Sequence, residues 1–130
     1  MAVPTGDTDC GCALYPWFEE LGPQWIHPQD IDAFRQLFPY RRVFTVLDQQ
    51  DGFTRIAHGD QVFRVKPSLL ESVSTPRFTV GQVVRIPGKD GEAVIEGIYW
   101  HFKDRKPYFM VRYKGKLKSK RYWAEDLVGT

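Results

Sequence analysis

A run of alternating apolar and polar residues, broken by glycine turns, limits the fold of this chain more than any other feature of its sequence. From Arg42 the segments RVFTVLD, FTRIAH and QVFRVKP follow one another, separated by QQDG and GD. Alternation with a period of two sends successive side chains to opposite faces of a sheet, and Gly with Asp marks reversals between strands. The run therefore predicts three strands, which Pro67 ends, and a helical turn at PSLL.

The second half of the chain follows the same plan. Its pattern predicts a bend at Gly97, a terminal helical turn at AEDL, and strands at about Gln82–Ile86, Glu92–Lys103, Tyr108–Tyr113 and Leu117–Trp123. The segments RIAHGDQVFRVKPSLL and VRYKGKLKSKRYWAEDL share the order strand, Gly turn, strand and leucine turn. This internal similarity indicates two copies of one small β-barrel.

One short α-helix is predicted in the N-terminal half, near residues 28–38, from the segment HPQDIDAFRQLFP. Pro28 fits the first helical position, and His27 before it is interpreted as a cap rather than as a metal ligand or base. Pro39 ends the helix. One apolar stripe is predicted from the helical spacing of Ile31, Phe34, Leu37 and Phe38.

The first residues of the chain carry fewer structural signals. Residues 1–12 are small and polar and are predicted to be disordered. The following segment, ALYPWFEELGPQW, holds too many turn residues for a long helix and is predicted to be irregular. Its aromatic residues have two interpretations. Either Trp17, Phe18 and Trp25 pin the segment onto the core, or Tyr15, Trp17 and Trp25 form a partner-binding surface.

Two resemblances support this architecture. The segment FTVGQVVRIPGKDGEAVIEGI, followed by YFMVRYKGKLKSKRYWAEDL, resembles the SH3-like barrels of the Tudor group. Over roughly residues 13–128 the chain is also similar to an uncharacterised bacterial family, through the patterns LYPW…HPxD…GDQxFRVKP and WHxK…SKRYxxEDL. These resemblances imply a mainly β fold of two small SH3-like (Tudor-like) barrels in tandem, over residues 13–73 and 77–128. They imply no activity, because such barrels bind proteins, peptides and nucleic acids alike.

The charge is distributed unevenly between the two halves. The net charge is +2, but residues 1–75 hold six Lys/Arg against ten Asp/Glu, whereas residues 76–130 hold twelve against six. This asymmetry indicates that the halves present different surfaces. Mutual attraction between an acidic and a basic half explains the same observation equally well.

The last predicted hairpin, within MVRYKGKLKSKRYW, is rich in Lys and Arg and lacks carboxylates. A three-residue loop of Tyr113, Lys114 and Gly115 is predicted, because a two-residue loop would place lysines on the apolar face. The resulting solvent-facing strip is a candidate site for nucleic acid or a partner, formed by Lys103, Arg105, Lys106, Tyr108, Arg112, Lys116, Lys118 and Lys120. The competing interpretation is an ordinary solvated strand edge, which lysines protect from aggregation.

No catalytic or cofactor-binding motif is present, so we expect neither an enzyme nor a cofactor. Cys10 and Cys12 lack the further ligands that a metal site needs, so no metal is expected. The N-terminus lacks the basic and apolar regions of a signal peptide, and no apolar run is long enough to span a membrane; we therefore expect a cytoplasmic protein without a membrane partner.

These observations predict a non-catalytic binding or adaptor module. A protein partner is the first expectation, because the barrel type and the surplus of aromatic residues near the N-terminus both suit one. The alternative is sequence-tolerant nucleic-acid binding through the basic C-terminal hairpin. The sequence does not identify the partner.

Overall fold

The structure is a computed structural model that describes residues 11–130, and the chain divides into two compact units, Met1–Thr75 and Pro76–Thr130. Cys10 and most of the segment predicted to be disordered lie outside the described residues. Cys12 is described, and it opens a strand rather than lying in a disordered segment.

The first unit contains one five-stranded antiparallel sheet. Its strands are β1 (Cys12–Leu14), β2 (Val43–Gln50), β3 (Phe53–His58), β4 (Gln61–Val65) and β5 (Glu71–Val73), in the order β4-β3-β2-β1-β5. The three predicted strands, the turns between them and a 3₁₀ turn at Pro67–Leu69 are confirmed. The strands β1 and β5 were not predicted, because each spans three residues and is too short to show alternation.

The helix α1 spans Ile31–Leu37 and lies between β1 and β2 in the chain. It begins later than predicted, with Asp30 at its N-cap, while His27 Nδ1 accepts a hydrogen bond from the backbone N–H of Gln29 at 3.1 Å in the preceding turn. Phe34 is fully buried. The prediction that Phe38 continues the buried stripe is wrong, because it caps the helix in a left-handed conformation and points into solvent.

The second unit contains the other five-stranded antiparallel sheet. Its strands are β6 (Val83–Arg85), β7 (Glu92–His101), β8 (Lys106–Tyr113), β9 (Lys116–Leu117) and β10 (Val128–Gly129), in the order β9-β8-β7-β6-β10. The predicted bend at Gly97 is confirmed by a shift in the β7–β8 register between Ile95 and Gly97. The predicted turn at AEDL is a 3₁₀ turn, and the strand β10 that follows it was not predicted.

The two sheets have the same strand order. In each unit the fifth strand follows a 3₁₀ turn and pairs with the first strand, antiparallel. This shared topology explains the internal similarity of the sequence. The predicted fold class is confirmed: the protein is mainly β, with two small five-stranded units in tandem and one short helix.

Each unit has an apolar core of its own. In the first unit, Phe34 of α1 packs edge-on against Phe63 of the sheet, with ring centres 5.0 Å apart. In the second unit, Phe78 packs against Phe109 at 5.4 Å, and both rings are buried. Buried aromatic pairs of this kind stabilise small domains beyond the area that they bury.

Candidate functional site

The aromatic surface predicted near the N-terminus does not exist as a surface. Tyr15 and Trp17 are buried, and Trp25 is half-buried. The single proton of the Tyr15 hydroxyl is shared between the carbonyl oxygens of Lys66 (2.8 Å) and Trp25 (3.1 Å), and Trp17 Nε1 donates to the Gly22 carbonyl at 2.8 Å. Burial raises the pKa of Tyr15. Trp17 and Trp25 thus pin the irregular segment to the core, as the other interpretation predicted. The prediction that Phe18 does so as well is wrong, because its side chain is largely exposed.

Three other aromatic residues of the first unit are exposed and neighbour one another. The exposed fractions are 44% for Phe18, 80% for Phe38 and 45% for Tyr40, and the rings of Phe18 and Tyr40 meet at 5.9 Å. They line a groove of about 210 Å³, together with Trp17, Glu19, Arg35 and Pro39. We call this surface the aromatic groove.

Phe38 has an unusual backbone for its residue type. Its φ of 57° and ψ of 70° lie in the left-handed region, which costs a residue with a Cβ roughly 1–2 kcal/mol. Its ring recovers little of this cost through burial within the protein. Strained residues that expose a large apolar side chain concentrate at binding sites.

The charged rim of the aromatic groove is internally paired. Arg35 forms ion pairs with Glu19 and, at 3.1 Å, with Asp32. The guanidinium therefore offers little free charge to a ligand. The groove is chemically an apolar surface with a satisfied polar rim, the usual composition of a protein-binding patch.

Sequence reasoning missed the aromatic groove although one signal was present. Phe38 directly precedes Pro39. A residue before proline is excluded from ordinary helical geometry, so Phe38 must leave the helix and its apolar stripe. The exposure of Phe18 and Tyr40, by contrast, depends on long-range packing and has no local signature.

The first unit also contains a larger open cleft of about 480 Å³, lined by Pro23, Gln24, Ile26, Pro28, Ile31, Phe53 and Lys66. The Lys66 ammonium lies 4.6 Å from the centre of the Phe53 ring. The centres of the His27 and Phe53 rings are 5.0 Å apart. Lys66 and Phe53 therefore form a cation–π contact within the protein. The cleft lacks the convergent polar groups that orient a small ligand.

The register predicted for the last hairpin of the second unit is wrong. Lys116 pairs with Tyr113 and Leu117 with Arg112, so the loop is the two-residue Lys114-Gly115 turn. Lys114 and Gly115 both have a positive φ, 51° and 77°. Two-residue turns of this kind match the right-handed twist of the strands that they connect.

The chain avoids placing lysines in the core by ending the strand early. The Lys118 backbone N–H donates to the Val111 carbonyl at 2.9 Å, whereas Phe109 pairs with Tyr122. The step of two residues from Val111 to Phe109 along β8 therefore corresponds to a step of four residues, from Lys118 to Tyr122, along the returning chain. This insertion brings Tyr122, rather than Lys120, opposite Phe109, and Tyr122 is buried.

The predicted cationic strip is consequently divided. Arg112 shares a face with Leu117, while Lys116 and Lys118 lie on the face of Tyr113 and Val111. Tyr108, predicted to be exposed for base stacking, is only 4% exposed, and the Arg121 guanidinium lies 4.8 Å from its ring centre. A base has no access to that ring.

The remaining predicted cations fall into different environments. Arg112 forms an ion pair with Glu96 at 3.1 Å, and Lys106 forms one with Glu125 at 3.6 Å. Lys103 and Arg105 are exposed in the β7–β8 turn, at the opposite end of β8 from Lys116. Lys120 is exposed and lies 4.9 Å from the Tyr122 ring centre.

One group of lysines does converge. The ammonium groups of Lys89, Lys114 and Lys118 lie 5.7, 5.4 and 5.7 Å from the centre of the Tyr113 ring. Lys116 lies opposite Tyr113 in the register. We call these four lysines and Tyr113 the lysine cluster. Sequence reasoning missed Lys89, Lys114 and Tyr113 as site residues, although a two-residue Lys-Gly turn would have placed Lys116 opposite Tyr113.

Within residues 11–130, no group of three or more His, Cys, Asp or Glu side chains is arranged to hold a metal ion. Among the same residues, no helix is long and apolar enough to cross a membrane. Cys12 is half-buried, and Cys10 lies outside the described residues.

The fold defines a small protein of two five-stranded β-units, with an aromatic groove on the first unit and a lysine cluster on the second. The chain matches DUF6960, a family of unknown function, over residues 6–128, and it belongs to that family. The expectation of an uncharacterised family is thereby confirmed, while the quoted motifs and the Tudor-like resemblance stay predictions. No curated protein and no solved structure matches the chain.

Proposed function

We propose that this protein is a non-catalytic binding module that docks a partner protein on the aromatic groove. The observation that carries the proposal is Phe38, which is 80% exposed on a left-handed backbone. Both its conformation and its exposure work against stability in the isolated chain. A partner that covers the ring would offset that cost, since full burial of a Phe side chain contributes about 1.5–3 kcal/mol.

The composition of the groove suits a protein partner. Aromatic side chains supply most of the energy at many protein interfaces, and they do so at a low cost in conformational entropy. Phe18 and Tyr40 flank Phe38 and extend the apolar area. A single exposed aromatic residue would be unremarkable, but three that share one groove form a contiguous patch.

The groove also limits what the partner presents. Its volume of about 210 Å³ is below the range of ordinary small-molecule pockets. Its rim charges on Glu19, Asp32 and Arg35 are already paired with one another. The expected occupant is therefore a partner segment that inserts an uncharged apolar anchor, rather than a metabolite or a strongly charged peptide.

Site-specific photocrosslinking in native host cells tests this proposal. A photoreactive phenylalanine at position 38 is expected to capture a discrete partner, whereas the same group at position 62 is not. Val62 is a suitable control because it is apolar, 44% exposed and lies in β4 of the same unit.

The captured partner is then purified and titrated against matched variants. Phe38→Ser is expected to weaken binding about 30-fold, which corresponds to a hot spot of about 2 kcal/mol, and Val62→Ser is expected to leave it unchanged. Equal effects of the two variants would refute the groove as the docking site. Concentration-dependent dimerisation that Phe38→Ser abolishes would show that the occupant is a second copy of this chain.

A further inference from the structure

The lysine cluster surrounds a ring whose position is fixed. Tyr113 is the last residue of β8 and is half-buried. Its hydroxyl donates a hydrogen bond to the Asp90 carbonyl in the loop between β6 and β7. The ring is therefore held between that loop and the Lys114-Gly115 turn, and its orientation does not depend on the lysines around it.

The lysines of this cluster lack ion-pair partners in the described part of the chain. Lys106 and Arg112 of the same unit each pair with a glutamate, but no carboxylate of residues 11–130 lies within 4.0 Å of the ammonium groups of Lys89, Lys114, Lys116 and Lys118. Asp90 and Glu92, nearby in sequence, are included in that statement. Four like charges on one small surface repel one another and attract an anion.

We infer that the lysine cluster binds the backbone of single-stranded nucleic acid, with the Tyr113 ring stacking on a base. Ammonium groups neutralise phosphates, and an aromatic ring between them offers a face that every base can use. In the free protein three ammonium groups lie near the ring. Transfer of these groups to phosphates frees the ring face for a base.

The stacking ring distinguishes this ligand from other polyanions. An acidic protein segment would use the lysines but has no need of Tyr113, because carboxylates do not stack. Tyr108, the aromatic residue that the sequence favoured, is buried beneath Arg121 and is therefore excluded from this role. Tyr113 is the ring that the described structure places among unpaired lysines.

Fluorescence anisotropy with a labelled oligothymidylate and the full-length chain at low salt is the direct test. We expect a micromolar Kd and, for four neutralised phosphates, a log–log salt slope of about −3. Lys89→Glu with Lys118→Glu, which changes the charge in two separate parts of the chain, is expected to weaken binding at least tenfold. The matched control is Lys103→Glu with Arg105→Glu, which makes the same charge change at the other end of β8 and is expected to weaken binding less than threefold.

The stacking step has its own variants. Tyr113→Leu is expected to weaken oligothymidylate binding about tenfold without affecting binding of heparin, and Tyr113→Trp is expected to retain oligothymidylate binding. Circular dichroism of every variant establishes that it is folded.

Four results would overturn the inference. These are no binding at 100 μM protein, equal weakening by the two charge-reversal pairs, no effect of Tyr113→Leu, or binding of polyglutamate as tight as that of the oligonucleotide with the same response to the variants. The last result would assign the cluster to an acidic protein segment.

Discussion

The carboxylate of Asp30 accepts three hydrogen bonds from Arg64: one from its backbone N–H at 2.8 Å, one from Nε at 2.9 Å and one from Nη2 at 3.0 Å. Asp30 is the N-cap residue of α1, and Arg64 lies in β4. The Asp30 side chain is only 16% exposed. This pair therefore fastens the beginning of the helix to the sheet of the first unit.

Loss of the Asp30 carboxylate is expected to destabilise the protein. Asp30→Ala removes the carboxylate that accepts three hydrogen bonds from the half-buried Arg64 and should lower the free energy of unfolding by about 2–3 kcal/mol. Asp30→Asn should cost less, because it keeps one acceptor oxygen. Urea denaturation followed by tryptophan fluorescence measures both.

Asp32→Asn serves as the control for this pair, because the Asp32 side chain is 88% exposed and bonds only to an exposed Arg35 in the same helix. Its expected effect is within about 0.5 kcal/mol. Equal costs for Asp30→Asn and Asp32→Asn would contradict the role assigned to the Asp30–Arg64 pair.

The same pair predicts a dependence of stability on pH. Hydrogen bonds from the Arg64 side chain, outweighing desolvation, hold the pKa of Asp30 below its ordinary value. The charged carboxylate is thus favoured in the folded state, so its contribution is complete above the unfolded pKa of about 3.9 and is lost as the pH falls through the lower folded value.

We therefore expect the difference in unfolding free energy between the wild type and Asp30→Asn to be constant from about pH 5 to 7 and to shrink below about pH 4. Parallel urea titrations at several pH values measure this difference. Asp48 has a lowered pKa through Arg55 as well, so the comparison with Asp30→Asn is needed to isolate Asp30. A difference that stays constant down to pH 2 would disprove the assignment.

Relief of the backbone strain at Phe38 is expected to stabilise the chain. Phe38→Gly accepts the φ of 57° without a Cβ clash and removes a ring that is largely exposed, so the unfolding free energy should rise by about 0.5–1 kcal/mol. Phe38→Ala is the control, because it removes the ring and keeps the strain. A loss of more than 1 kcal/mol in Phe38→Gly would mean that the ring packs within the protein.

A side chain at position 97 is expected to destabilise the protein only while Tyr99 is present. A Cβ on Gly97 would lie 2.8 Å from Cε2 of the Tyr99 ring, which stacks on Tyr108 with ring centres 5.5 Å apart. Gly97→Ala should therefore lower the unfolding free energy by about 1–2 kcal/mol, because the ring must move out of its stack.

A double-mutant cycle tests this explanation. In a Tyr99→Ala background the same Gly97→Ala change should cost less than about 0.5 kcal/mol, because the clashing ring is gone. If the two costs are equal, the bend itself rather than the ring requires glycine at position 97.

Local patterns in the sequence determined the strands β2, β3 and β4 of the first unit and the succession of the longer strands in the second. β2, β3 and β4 follow the alternation of residues 42–67, and Asp51-Gly52 and Gly59-Asp60 separate them. Alternation and turn preference act between residues close in the chain, so the sequence shows them directly. The same holds for the bend at Gly97 and for the 3₁₀ turns at Pro67–Leu69 and Ala124–Asp126.

Which short segments became strands depended on contacts between residues distant in the chain. β1 and β5 each span three residues, and Leu14 pairs with Glu71 far along the chain. Such segments have no periodicity of their own and become strands because the neighbouring sheet offers unpaired backbone groups. Their existence was therefore outside the reach of local patterns.

The candidate sites were decided by burial in three dimensions. The sequence identified a basic hairpin. The prediction took its second strand as continuous and therefore chose a three-residue loop, so that lysines would stay out of the core. The chain instead keeps a two-residue turn and inserts two residues after Lys118, so that Tyr122 reaches Phe109. Burial of an apolar face depends on all the residues that cover it, many of which are distant in the sequence. For that reason local patterns did not show that Tyr108 is buried while Tyr113 and Phe38 reach the surface.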